Sequence, residues 1–161
     1  MAIEVTSNLA QAPVLPIAQT VSLVDANGVA MANLSDAVGL TGYTTGINCF
    51  LATRVIIEVW DQSVSSTTVT PGTLTAEGKS RPELTTWMAN NNFNNILVST
   101  GQTGNHSRAT PWRVYITPAL TGTLVAGARF SIDQVRLKFV MASPAAAHTW
   151  EPAFRVWVMY D

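Results

Sequence analysis

Apolar and polar positions alternate along much of this chain with a period of two, the spacing of a strand with one buried face. The clearest stretch is residues 49–62, where Val55, Ile57 and Val59 fall on one side and Arg54, Ile56, Glu58 and Trp60 on the other. Its β-branched run Val55-Ile56-Ile57 disfavours a helix. Residues 130–141 set Val135, Leu137, Phe139 and Met141 against Gln134, Arg136 and Lys138. Residues 154–160 set Phe154, Val156, Val158 and Tyr160 against Arg155, Trp157 and Met159. Weaker alternation predicts strands over 17–24, 29–34, 96–100 and 112–117, the last stopping at Pro118. A further edge strand with a Pro71-Gly72 turn is expected within 64–76.

Turn chemistry separates these segments. Asn27-Gly28 is a strong hairpin signal, because both residues tolerate positive φ. Residues 35–48 carry Gly39, Gly42 and Gly46 among threonines and read as a long loop, and 101–110 as another. Ser80, with Pro82 in the first turn and Glu83 three residues on, is a capping box for one short helix bearing Leu84, Trp87 and Met88. Asn90-Asn91-Asn92 would end that helix. About eight strands, one short helix and no repeat predict an all-β fold, an antiparallel two-sheet sandwich. Residues 1–16, with Pro13 and Pro16 around Val14 and Leu15, read as an extended N-terminal arm that lies along a neighbouring subunit, leaving 17–161 as the domain.

Composition adds a reason to expect assembly. Charged residues make up 12% of the chain, about half of the roughly 25% usual for soluble proteins. Hydrophobic residues reach 47%, yet no run approaches the ~20 apolar residues of a membrane helix. A domain so thinly covered by charge exposes apolar patches, and these mark partner surfaces. Only Lys79 and Lys138 are lysines, a bias shared with protein interfaces. The net charge of −1 gives no bulk attraction to nucleic acid or acidic membrane. Cys49 is alone, so no disulfide forms within the chain. With no secretory signal at the N-terminus, a cytosolic origin is expected.

Catalytic sets are absent. His106 and His148 sit in loop sequence, no metal-ligand spacing occurs, and neither a Gly-x-Ser-x-Gly elbow nor a phosphate loop is found. Asp61 has no second carboxylate that its neighbourhood in sequence supplies. The chain is therefore not expected to be an enzyme or to hold a cofactor. Asp25 with Asn27 at the hairpin tip could supply oxygen ligands to Ca²⁺ at subunit contacts, although a plain Asn-Gly turn accounts for the same residues. Arg129, Arg136, Lys138 and Arg155, with Trp157, would form a patch for phosphate and base stacking if their strands are neighbours. The competing reading is that these are ordinary polar-face residues of sandwich strands.

The order of features resembles the eight-stranded jelly roll of small icosahedral virus capsid proteins, of the satellite-virus type. Residues 52–62 (ATRVIIEVWDQ) look like the fourth strand of such proteins and 154–161 (FRVWVMYD) like the last. The resemblance implies a coat protein of about sixty identical copies in closed symmetry, made in the host cytoplasm and found in the virion. It also implies viral RNA as a partner, touched by Arg129, Arg136, Lys138 and Arg155. This sequence departs from the family in one respect: residues 1–16 contain no Lys or Arg, where such proteins carry a basic arm. The alternatives are a trimeric jelly-roll surface, decoration or receptor-binding protein of a phage, and a carbohydrate-binding β-sandwich.

Overall fold

In the computed structural model the described residues are 16–35, 40–62, 71–80, 86–89, 96–100, 109–120, 123–124, 127–141 and 149–160. The three strongest alternating stretches become long strands: β5 (Arg54–Asp61), β11 (Gln134–Met141) and β12 (Pro152–Met159). Around them lie β1 (Ile17–Gln19), β2 (Leu23–Val24), β3 (Thr41–Thr44), β4 (Ile47–Asn48), β6 (Pro71–Lys79), β7 (Met88–Ala89), β8 (Ile96–Thr100), β9 (Trp112–Leu120) and β10 (Thr123–Leu124).

These strands form two antiparallel sheets. The first has the order β1-β12-β5-β9-β10, with β8 also on β9; the second runs β2-β3-β11-β6-β7, with β4 also on β11. The alternation decides what lies between the sheets. Val55, Ile57, Val114, Ile116, Val156 and Val158 of the first sheet meet Val135, Leu137 and Phe139 of the second, and all are buried. Trp150 and Phe130 complete this core from the connections, with the Trp150 ring 5.1 Å from that of Phe139 and tilted by 59° against it. The period of two then sends Arg155, Trp157, Glu58 and Arg113 to one outer face of the sandwich and Arg136 and Lys138 to the other.

Several expectations are corrected. The stretch 17–24 is not one strand but two, crossing from one sheet to the other between Gln19 and Leu23. The hairpin tip forms as predicted, but its return over 29–34 is reduced to isolated bridges, Val24 to Ala30 and Leu34 to Trp150. The expected loop 35–48 contains β3 and β4, because Gly42 serves packing: a Cβ there would lie 2.8 Å from Leu34 Cδ2 and 2.9 Å from Leu23 Cδ1. One extra residue on this side shifts the register from Tyr43↔Lys138 to Ile47↔Val135, and Thr44 Oγ1 accepts the Leu137 N–H at the bulge. β6 is flanked on both sides rather than at an edge, with Pro71 at its first position, where a missing N–H is tolerated. β9 runs on through Pro118, since its ladder with β5 ends at Ile116 and only β8 flanks the proline.

The short helix is absent from the described residues. Met88, expected on that helix, instead pairs with Gly78 in a strand beside β6. The residues 81–85 that would begin that helix, all of the arm over 1–16 except Pro16, most of the loop at 101–110, His106 and His148 lie outside the described residues. No helix among the described residues is long and apolar enough to cross a membrane.

Candidate nucleic-acid interface

The basic residues singled out by pattern divide between the two outer faces. Arg136 and Lys138 lie on β11 in the second sheet, Arg155 on β12 in the first, and Arg129 on the connection before β11. They do not form one patch.

On the second sheet, Arg136 stands opposite Glu77 of β6, and its Nε donates to Glu77 Oε2 at 2.8 Å. Its guanidinium lies 4.0 Å from the Tyr43 ring centroid and 4.5 Å from that of Trp87. The side chain is 7% exposed. Alternation correctly takes it out of the core, and two aromatic rings then cover it. Lys138 and Lys79 flank the same rings, at 5.8 Å from Tyr43 and 5.0 Å from Trp87. Arg129 is exposed and donates to the Leu51 carbonyl at 2.9 Å.

The first sheet presents a different arrangement. Register places Glu58 of β5 between Arg155 of β12 and Arg113 of β9. Arg113 Nη2 donates to Glu58 Oε1 at 2.8 Å, and Arg155 Nη1 lies 3.5 Å from Oε2. The carboxylate is 8% exposed while both arginines stay about half exposed. Hydrogen bonds from Arg113, to Glu58 first and to Tyr115 next, hold its guanidinium pKa above the ordinary value. Arg155 also lies 5.2 Å from the Trp60 ring and 6.0 Å from Trp157.

One row along the same strands, Trp157, Ile56 and Tyr115 stand side by side. They floor an open groove of about 320 Å³ that is lined also by Pro16, Met159, Glu58 and Arg113. The sequence reading overlooked Arg113, Glu58 and Tyr115 as site residues. The signal was available: Arg113 and Tyr115 alternate with Val114 and Ile116 by the same rule that picked out Arg155.

The other candidates have simple partners. Asp25 Oδ1 accepts the N–H groups of Asn27 and Val29, both at 2.8 Å, so it closes the turn that Gly28 completes at φ 84°. Asn27 is exposed beside it. Among the described residues no three His, Cys, Asp or Glu side chains group as for a metal ion. Burial, and secondarily the charge of Asp133, pushes the Cys49 thiol up to about 12, so it stays protonated near neutral pH. Comparison with protein-family models, curated proteins and solved structures matched none of them.

Proposed function

We propose that this chain is the coat protein of a small icosahedral virus, a jelly roll whose copies assemble into a shell around an RNA genome. The observation that carries the reading is the order in which the strands pair. A jelly roll is one long hairpin wound on itself, so its first strand pairs with its last and each later pair lies further inward. Here β1 pairs β12, β3 pairs β11, β5 pairs β9 and β6 pairs β7. The winding also brings β5 beside β12 and β6 beside β11. On this reading Arg54–Asp61 would be the third strand of the winding and Pro152–Met159 the last.

Exposed apolar side chains support assembly. Ile17, Val29, Phe50, Leu51 and Met88 are all more than a third exposed in the single chain. Burying them against other copies would lower its free energy. Contacts between different patches on identical subunits close into rings or shells.

Size-exclusion chromatography with multi-angle light scattering, followed by negative-stain imaging of the peak, tests the proposal. Uniform megadalton spheres are expected. A species of three subunits would overturn the shell and point to the trimeric phage surface protein, which uses the same winding.

A further inference from the structure

We infer that the outer face of the β1-β12-β5-β9 sheet, and not the opposite face, is where single-stranded nucleic acid binds. The inference rests on the shell reading only for why a nucleic acid would be present.

Three observations lead there. The first is charge. On β5, β9 and β12, the outward positions that alternate with the core carry Arg54, Arg113 and Arg155 against a single carboxylate, Glu58. That carboxylate is itself held between two of the arginines. Among the described residues of these three strands, three cations face one anion, a local excess that the net charge of the whole chain conceals and that complements a phosphate backbone.

The second observation is spacing. Register orders the face in rows across the strands: Met159 beside Arg54, then Trp157-Ile56-Tyr115, then Arg155-Glu58-Arg113, with Trp60 beyond. Cations and aromatic rings therefore alternate along the strand direction, with about 7 Å between like-facing rows. Non-sequence-specific binding of single strands uses this combination, cations tracking the backbone and rings stacking the bases. The groove over Trp157, Ile56 and Tyr115 is an open apolar slot lined also by the Glu58–Arg113 pair, suited to a base with its phosphate against the exposed side of Arg113.

The third observation is the state of the other face. Arg136, its central cation, is buried, paired to Glu77 and enclosed by Tyr43 and Trp87. It cannot reach a phosphate without breaking that pair. Arg113 and Arg155 keep about half their side-chain surface in water, and a guanidinium has five donors to share between Glu58 and a ligand.

The test uses the full chain and fluorescein-labelled oligouridylate of about ten nucleotides, a site size within the usual range, with oligothymidylate to separate RNA from DNA. Anisotropy at low salt should show binding whose affinity falls with salt. The R113A/R155A double variant should bind at least tenfold more weakly, with a salt slope shallower by about 0.7 per arginine. The K79A/K138A variant on the opposite face should bind as the parent does. Because R113A/R155A strips the buried Glu58 of its partners and so threatens the fold, two further readouts are taken. One is Arg54→Gln, two rows from Arg113, which should reduce the slope. The other is ultraviolet cross-linking of the unmodified chain, which should map to Tyr115, Trp157 or Trp60.

Cross-links at Tyr43 or Trp87, loss of binding in K79A/K138A, or no binding by the parent chain at low salt would overturn the inference. Light scattering on the same samples keeps the two readings apart. Dissociated subunits that bind no oligonucleotide yet reassemble into shells refute this inference alone, and binding by a chain that does not assemble refutes the shell alone.

Discussion

Arg136 and Glu77 face each other across β11 and β6, with the guanidinium 7% and the carboxylate 12% exposed and Nη2 at 2.6 Å from Oε2. The pair lies outside the core proper but is as dry as part of it, because Tyr43 and Trp87 close over the guanidinium. Removing one partner leaves an uncompensated buried charge, which costs about 3–5 kcal/mol. Glu77→Ala should therefore destabilise the chain by that amount in urea unfolding. The double variant Glu77→Leu with Arg136→Met removes both charges and should recover most of the loss. A Glu77→Ala variant within 1 kcal/mol of the parent would show that the guanidinium finds water instead.

Gly42 gives a second, independent measure of the core. Its missing side chain admits Leu34, which is fully buried, and Leu23. Gly42→Ala should cost about 1–3 kcal/mol through overpacking. Leu34→Val on that background should return part of it, by vacating the position a Cβ would clash with. Additive effects of the two substitutions in thermal or urea unfolding would mean that they do not share the space.

The same glycine shows why some of the fold was legible and some was not. β5, β11 and β12 follow from alternation over eight residues each, a signal contained in the strand itself. Gly42 and Gly46 signal a turn locally, and only the distant Leu34 reveals the packing role of Gly42. Met88 carries no local sign that it extends the sheet, and only the distant Gly78 on β6 reveals its pairing. The site divides the same way. Alternation placed Arg155 outside the core, but its partners Glu58 and Arg113 arrive on separate strands brought together by register. Alternation alone leaves Arg136 on a polar face, because nothing within β11 foretells that Tyr43 and Trp87 cover it.

Cys49 makes stability depend on pH at the alkaline end. The folded thiol titrates at about 12 against an ordinary 9.0, with burial the main cause. Between these values the unfolded chain has lost the proton and the folded chain retains it, so the folded state binds more protons. Stability then falls as pH rises, by up to about 1.4 kcal/mol per unit. Below the unfolded value the contribution is fully present. Cys49→Ala should remove this component of the decline between pH 9 and 11 in urea unfolding, after subtraction of what other groups contribute in both chains. Equal slopes for parent and variant would refute the assignment. A thiol reagent at pH 8 should also react slowly with the native chain and quickly in denaturant.

Phe50 and Leu51 carry the most direct test of assembly in a single turn. They are 52% and 50% exposed, side by side between β4 and β5. Leu51 is held at φ 62°, a left-handed conformation that costs an L-residue about 1–2 kcal/mol. The turn is fixed by Leu51 N–H to Phe130 O at 2.9 Å, Ala52 N–H to Cys49 O at 2.8 Å and Arg129 to Leu51 O at 2.9 Å. Strain spent on presenting two apolar side chains to water has a use if another copy covers them. Phe50→Ser with Leu51→Asn relieves the strain, since Asn tolerates positive φ, and exposes nothing new. The variant should unfold at or above the parent's urea midpoint, measured on unassembled chain, while light scattering shows particles replaced by small species. Particles of unchanged size and yield would remove this turn from the contacts that build the shell. A drop in the midpoint would mean instead that the two side chains support their own subunit.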